Sequence, residues 1–142
     1  MKLFPIQILT PDREVFRGDV RRLHVPTESG PYTLHANTYP FIVMIKYGNL
    51  WLETTEGRSD YAISGGILIV QKEIVTVLAE AIERADEIDV DRALAAKERA
   101  ESRLAKKSEK IDIKRAQTAL LRALNRLDVA GYEATSIYKF KD

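Results

Sequence analysis

With 142 residues, 45% of them hydrophobic, the chain is long enough to bury one substantial core and to carry a small second module. Lys and Arg number 22 against 21 Asp and Glu, a formal charge of +1, which removes the overall basic excess typical of nucleic-acid binders. The absence of cysteine excludes disulfides, thiolate catalysis and cysteine-ligated zinc, and fits a reducing, cytoplasmic setting.

The first residues, Met1-Lys2-Leu3-Phe4-Pro5, have neither a secretory nor a transit-peptide pattern. From there to about Ala79, short β-branched and aromatic segments alternate with turn residues. The pattern predicts about eight to ten strands, near residues 6–9, 14–16, 20–25, 32–35, 41–45, 50–54, 59–64, 67–71 and 75–79. Turn signals stand at Thr10-Pro11-Asp12, Pro26, Ser29-Gly30-Pro31, Tyr47-Gly48-Asn49, Glu56-Gly57 and Lys72-Glu73. Ser64-Gly65-Gly66 reads as a further turn rather than a nucleophile elbow. Short, regularly spaced strands of this kind favour a β-sandwich or barrel. The longest apolar run, Phe41 to Ile45, falls far short of the roughly 20 residues that cross a bilayer.

Near Glu80 the composition changes, and Ala, Glu, Lys, Arg and Leu dominate to about Ala130. Two helices are expected, over 90–106 and 113–130, with Asp89 and Asp112 as their N-caps. A short repeat supports both starts: Ile88-Asp89-Val90-Asp91-Arg92-Ala93 returns as Ile111-Asp112-Ile113-Lys114-Arg115-Ala116. In each copy the residue before the cap can staple onto the alanine one turn later. Ile113, Ala116, Leu120, Ala123 and Leu127 share one stripe, and Ala93, Ala96, Ala100 and Leu104 form its partner. A connection of a few residues around Ser108 makes the packed helices antiparallel. The fold class is therefore α+β, with a β-sandwich over 1–86, an antiparallel two-helix hairpin over 87–130 and a frayed or partner-bound tail over 131–142. An alanine seam buries little apolar area, so the hairpin is expected either to open readily or to dock permanently on a partner.

Several of these segments together resemble the epsilon-subunit family of bacterial F-type ATP synthases. Ile6-Gln7-Ile8-Leu9-Thr10-Pro11-Asp12-Arg13-Glu14-Val15-Phe16 is similar to the family's first hairpin, and Ala62-Ile63-Ser64-Gly65-Gly66-Ile67-Leu68 to its late Ser-Gly-Gly segment. The strongest likeness lies in Glu83-Arg84-Ala85, Ile88 to Ala93, Arg115-Ala116 and Ala119 to Leu127. The likeness spans roughly residues 3 to 130. One segment departs from it: where most members carry Gly-Ile-Leu-Pro-Gly-His-Ala-Pro, this chain has Thr33-Leu34-His35-Ala36-Asn37-Thr38-Tyr39-Pro40. Counted back from Pro40, the family histidine falls on Thr38, so His35 inherits no role from it.

No catalytic constellation emerges from the residues themselves. His24 and His35 lie on expected strands without a partner at metal-ligand spacing, which leaves them structural or surface roles. A Walker-type phosphate loop is missing. The resemblance implies a different nucleotide site, because some bacterial members hold ATP through an Ile/Leu-Asp-x-x-Arg-Ala motif. This chain has Ile88, Asp89, Arg92 and Ala93 in full, and Glu83, Arg99, Arg122 and Arg126 at further matching positions. Asp89 can accept from an adenine amino group or a ribose hydroxyl, and guanidinium groups can pair with phosphates. The plainer reading of Asp89 is a helix cap, and that of the arginines a solvated surface.

Arg115, Arg122 and Arg126 form a basic stripe nearly opposite the Leu120 seam, which an extended hairpin can present to acidic loops of catalytic subunits. Residues from 88 onward carry 13 Lys and Arg and 9 Asp and Glu, a net +4, whereas residues 1–87 carry 9 and 12, a net −3. By the resemblance, the sandwich binds the gamma subunit and the c-subunit ring, and the hairpin meets the alpha and beta subunits and inhibits ATP hydrolysis when extended. ATP then favours the compact hairpin as a regulatory ligand. No cofactor is required, the chain is not itself an enzyme, and it sits peripherally on the cytoplasmic face of the bacterial plasma membrane. The alternatives are a free-standing interaction module and, last, an independent small-molecule enzyme.

Overall fold

The computed structural model describes residues 2–106 and 110–131, so the expected connection around Ser108 and the tail beyond Gly131 lie outside the described residues. The chain forms two compact units, Met1–Arg84 and Ala85–Asp142.

The first unit holds eight strands: β1 (Phe4–Leu9), β2 (Glu14–Val20), β3 (Arg22–Thr27), β4 (Gly30–Leu34), β5 (Phe41–Thr54), β6 (Gly57–Val70), β7 (Val75–Ala79) and β8 (Ile82–Arg84). They join in one hydrogen-bonded sheet of order β2-β1-β7-β6-β5-β3-β4, with β8 on β6. All pairings are antiparallel except that of β1 with β7. Ile6 and Ile8 of β1 and Val20 of β2 share one core cluster with Leu23 and Val25 of β3 and Leu34 of β4, from the opposite end of that order. Strands at the two ends of a sheet meet only if the sheet folds over on itself, which makes it a sandwich.

The long strands β5 and β6 correct the expectation of four shorter ones. Tyr47-Gly48-Asn49 and Ser64-Gly65-Gly66 lie inside the ladder instead of turning the chain: Tyr47 pairs with Ser64, Gly48 with Ile63 and Asn49 with Ala62. These glycines serve a twist. Along β5 the core-facing residues are Phe41, Val43 and Ile45, then Leu50 and Leu52, and along β6 they are Tyr61 and Ile63, then Leu68 and Val70. The inward positions change parity midway, so the ribbon turns its other face inward as it passes through the fold. Gly65 (φ 89°) and Gly66 (φ 143°) supply backbone that L side chains rarely adopt. A Cβ on Gly66 would stand 2.2 Å from the Leu78 carbonyl oxygen, and one on Gly48 would stand 2.7 Å from Cβ of Pro26.

His35, expected on a strand, falls in the β4–β5 connection. There Thr38 Oγ1 donates to the His35 carbonyl (2.7 Å) and Asn37 takes a left-handed φ of 66°. Strand β8 was not expected, because its three residues sit in sequence that already reads as helical.

The second unit opens with a 3-10 turn, Ala85–Glu87, followed by α1 (Val90–Lys106) and α2 (Lys110–Val129). Asp89 caps α1: its Oδ1 accepts from the Arg92 amide at 3.0 Å, and its carbonyl accepts from the Ala93 amide at 3.0 Å. Ile88 and Ala93, the two ends of the expected staple, are both buried. Asp112 is not a cap. Helix α2 begins at Lys110, so Asp112 lies within the first helical turn, where its charge complements the helix dipole. The repeat thus copies residues without copying geometry. Helices α1 and α2 pack together, with Ala93 and Ala100 buried on one and Ala116, Ala123 and Leu127 on the other. Ala96, Leu104, Ile113 and Leu120 are half-buried, while Leu124 and Asn125, outside the expected seam, are also buried. Gly131 (φ 77°) ends α2 by donating its amide to the Asp128 carbonyl.

Candidate functional site

The twist of the β5–β6 ribbon divides the outward surface of the sandwich into two chemically different parts. On one, Met44 pairs with Ile67 and Ile67 with Leu78, while Leu78 lies in register with Leu9. The neighbouring row runs Ile42, Ile69, Thr76 and Gln7. Their sequence neighbours Val43, Leu68, Val77 and Ile8 point into the core, so these rows face outward. Ile42 is 71% exposed, Met44 48% and Leu78 40%. Exposed apolar side chains grouped in this way mark a contact surface. The sequence reading missed it, although its signal is present: 41–45 and 67–70 are apolar at every position, so both faces of those strands are apolar.

The other part is polar and aromatic. The indole of Trp51 on β5 stacks on His24 of β3 with ring centroids 5.2 Å apart and planes 4° from parallel. The Arg58 and Arg22 guanidinium carbons lie 4.4 Å and 5.4 Å from the indole centroid. Arg22 pairs with Glu53 at 2.7 Å and Arg58 with Asp60 at 2.9 Å. The hydrogen bond from Arg22 holds the Glu53 carboxyl below its ordinary range, and that from Arg58 does the same for Asp60. Partial burial, and then the Arg58 charge, push the His24 imidazole down.

In the helical unit, the residues singled out for ATP and for the inhibitory contact separate into groups. Asp89, Arg92 and Ala93 occupy the first turn of α1, where Ala93 is buried and Asp89 Oδ1 is already engaged with the Arg92 amide. A ligand amino group must share that oxygen or take the other one. Ile88 is buried before the cap, and Arg99 is exposed two turns beyond Arg92 on the same helix face. On α2, Arg115 and Arg122 are exposed and Arg126 is half-buried. Arg115 and Arg122 line an open depression of about 520 Å³ with Lys114, Thr118 and Ala119. Three cations converge there, a setting suited to phosphate or carboxylate oxygens. Glu83 belongs to β8 in the first unit, half-buried and in register with Ala62.

Residues 3–85 match the family model for the ATP synthase delta/epsilon chain β-sandwich domain, and residues 86–131 match that for its long α-helix domain. The chain is 45% identical over 131 residues to the ATP synthase epsilon chain of Bacillus velezensis, spanning 92% of this chain and 99% of the relative. The chain belongs to the ATP synthase epsilon-chain family. A second epsilon chain, from Nitratidesulfovibrio vulgaris, is 41% identical over 130 residues, covering 92% of this chain and 97% of its own length. Two solved structures show the same fold. One is a chain of the Euglena gracilis mitochondrial ATP synthase OSCP/F1/c-ring assembly, with TM-score 0.78 and 21% identity over 92% of this chain and 82% of that one. The other comes from the Tetrahymena thermophila mitochondrial ATP synthase central stalk and c-ring, with TM-score 0.63 and 14% identity over 89% and 96%. In this epsilon-family chain the apolar rows of β5, β6 and β7 lie within the span of the sandwich model. Every arginine of the candidate ATP set lies within the span of the helical model.

Proposed function

We propose that this epsilon-family chain is a non-catalytic central-stalk subunit of a proton-translocating F-type ATP synthase on the cytoplasmic face of a bacterial plasma membrane. Its sandwich binds the gamma subunit and the c-subunit ring. Its helical hairpin regulates ATP hydrolysis through contact with the alpha and beta subunits. The observation that carries this reading is the exposed apolar surface of Ile42, Met44 and Leu78, flanked by Ile67 and Ile69, on a rigid sheet. Burial of such a surface against another subunit is the form a lasting association takes. The structural neighbours, one from an assembly with a c-ring and one from a central stalk with its ring, support the same placement. No helix among the described residues is long and apolar enough to cross a membrane, in keeping with a subunit held peripherally by its partners.

The test is co-purification with gamma after Ile42→Glu and Met44→Glu, which place charge on the outward rows without touching the core. The variants fold and lose gamma. Undiminished co-purification overturns the assignment of the surface, and failure of the unaltered chain to bind gamma overturns the stalk reading in favour of a free-standing interaction module.

For regulation, an alanine-lined seam that opens at modest cost and a stripe of arginines on α2 support a hairpin with a compact and an extended state. ATP shifts that balance only through higher affinity for the compact state. Removal of residues 88–142 raises ATP hydrolysis by the reconstituted complex, and unchanged hydrolysis sinks the inhibitory role while leaving the stalk role intact. Calorimetry with millimolar ATP detects binding that Arg126→Ala weakens. The absence of binding heat removes the nucleotide from the scheme.

A further inference from the structure

The polar half of the outward surface contains one histidine, the side-chain type whose ordinary titration range lies nearest neutral pH. The geometry points to His24 as an acid-responsive clasp: in its neutral form it ties β3 and β4 to the β5–β6 ribbon through Trp51, and protonation loosens that tie. Imidazole Nδ1 lies 2.8 Å from Thr33 Oγ1 on β4, and the ring stacks on Trp51 of β5. His24 stands in register with both residues, so one side chain joins three strands outside the core.

The charges facing His24 can be named from every strand around it. Its own strand supplies Arg22, β4 supplies the neutral Thr33, β5 supplies Glu53, and β6 supplies Arg58 and Asp60. With His24 neutral, two guanidinium groups are balanced by two carboxylates. Both carboxyls are held below their ordinary range, so they stay ionised above about pH 5. Protonation of His24 therefore adds a third, unmatched cation around an indole whose π surface Arg58 and Arg22 already share. An imidazolium can attract an indole face, but here it must also shed water and stand near Arg58. Both effects act in the same direction on the ring.

The sign follows from linkage. A histidine held down in the folded state has its full stabilising contribution above its ordinary value near 6.5, and that contribution is lost as the pH falls below it. The core contacts of Leu23 and Leu52 do not titrate, so the effect is a softening of the β3–β4 margin rather than unfolding of the sandwich.

Trp51 is the chain's one tryptophan, so its emission reports this site alone. The experiment follows Trp51 fluorescence and the thermal midpoint of the full chain from pH 7.5 to 5.0 at constant ionic strength. Emission falls and the midpoint drops through a single one-proton step below about pH 6.5. His24→Gln abolishes the step, His35→Gln retains it, and Arg58→Gln moves it to higher pH by removing a neighbouring cation. A flat profile, a step that survives His24→Gln, or a midpoint that rises on acidification overturns the proposal. If His24→Gln does not fold, the ring-proton NMR titration of His24, with and without Arg58→Gln, gives the same decision: a step that Arg58→Gln fails to raise is the overturning result.

Discussion

In the sandwich the fully buried side chains are large: Ile6, Ile8, Leu23, Leu34, Leu50, Leu52, Ile63 and Leu68 among them. In the helical unit they are mostly Ala93, Ala100, Ala116 and Ala123, to which Ile88, Leu124 and Leu127 add bulk among the described residues. Burying a Leu or Ile is worth about 1.5–3 kcal/mol, and an alanine methyl far less. The first unit is thus a tightly filled core crossed by long strands, and the second is a close contact between helix backbones with little apolar area behind it. The difference fits the proposed roles, in which the partner-binding surface sits on the unit with the large-side-chain core and the regulatory part has an interior of small side chains.

The largest expected effect attacks the sandwich where its ribbon twists. Gly66→Val puts a side chain where the Leu78 carbonyl oxygen stands and demands a backbone that valine rarely adopts. The variant loses the β-sheet signal in circular dichroism. A folded variant of near-native stability breaks the account of how β5 and β6 turn their faces inward.

Next comes the contrast between the two interiors. Leu52→Ala lowers stability by about 2–5 kcal/mol in denaturant titration, the range for a large side chain lost from a filled core. Amide exchange sharpens the comparison, because amides of α1 and α2 exchange through openings that Leu52→Ala leaves unchanged, whereas amides of β5 and β6 do not. If the helical amides are protected as strongly as the strands, the alanine seam is not the weak element it is taken to be.

Smaller effects distinguish the two copies of the repeat. Asp89→Ala costs the helical unit about 1 kcal/mol through the lost cap. Asp112→Ala removes a helix-dipole contribution of about 0.3 kcal/mol and gains helix propensity, so thermal melting barely changes. Equal losses in the two variants restore Asp112 as a cap.

The smallest effect is the acid limb below the His24 step. Glu53 and Asp60 are held down by Arg22 and Arg58, so their contribution is present above their ordinary values, near 4.5 and 3.8, and is lost as the pH falls through the depressed ones. Asp60→Asn flattens part of that limb below about pH 4, seen as a shallower fall of the thermal midpoint. An unchanged limb shows that these partly exposed pairs contribute nothing measurable.

Much of this molecule is written locally. Alternation of apolar and turn residues specifies strands, the rise in alanine and charge near Glu80 specifies helices, and Asp89 specifies where the first one starts, because each depends on contacts within a few residues. The candidate ATP residues of the helical unit, from Ile88 to Arg126, come from the family resemblance and not from local spacing. Tertiary structure decided what depends on distant partners. Gly48, Gly65 and Gly66 look like turns until their cross-strand neighbours are known, and Asp112 looks like Asp89 until the helix is seen to start two residues earlier. The outward apolar rows and the His24–Trp51 stack exist only because register sets Met44 beside Ile67 and His24 beside Trp51. A side chain's spacing along the chain sets which way it points, and only the folded sheet supplies what it meets there.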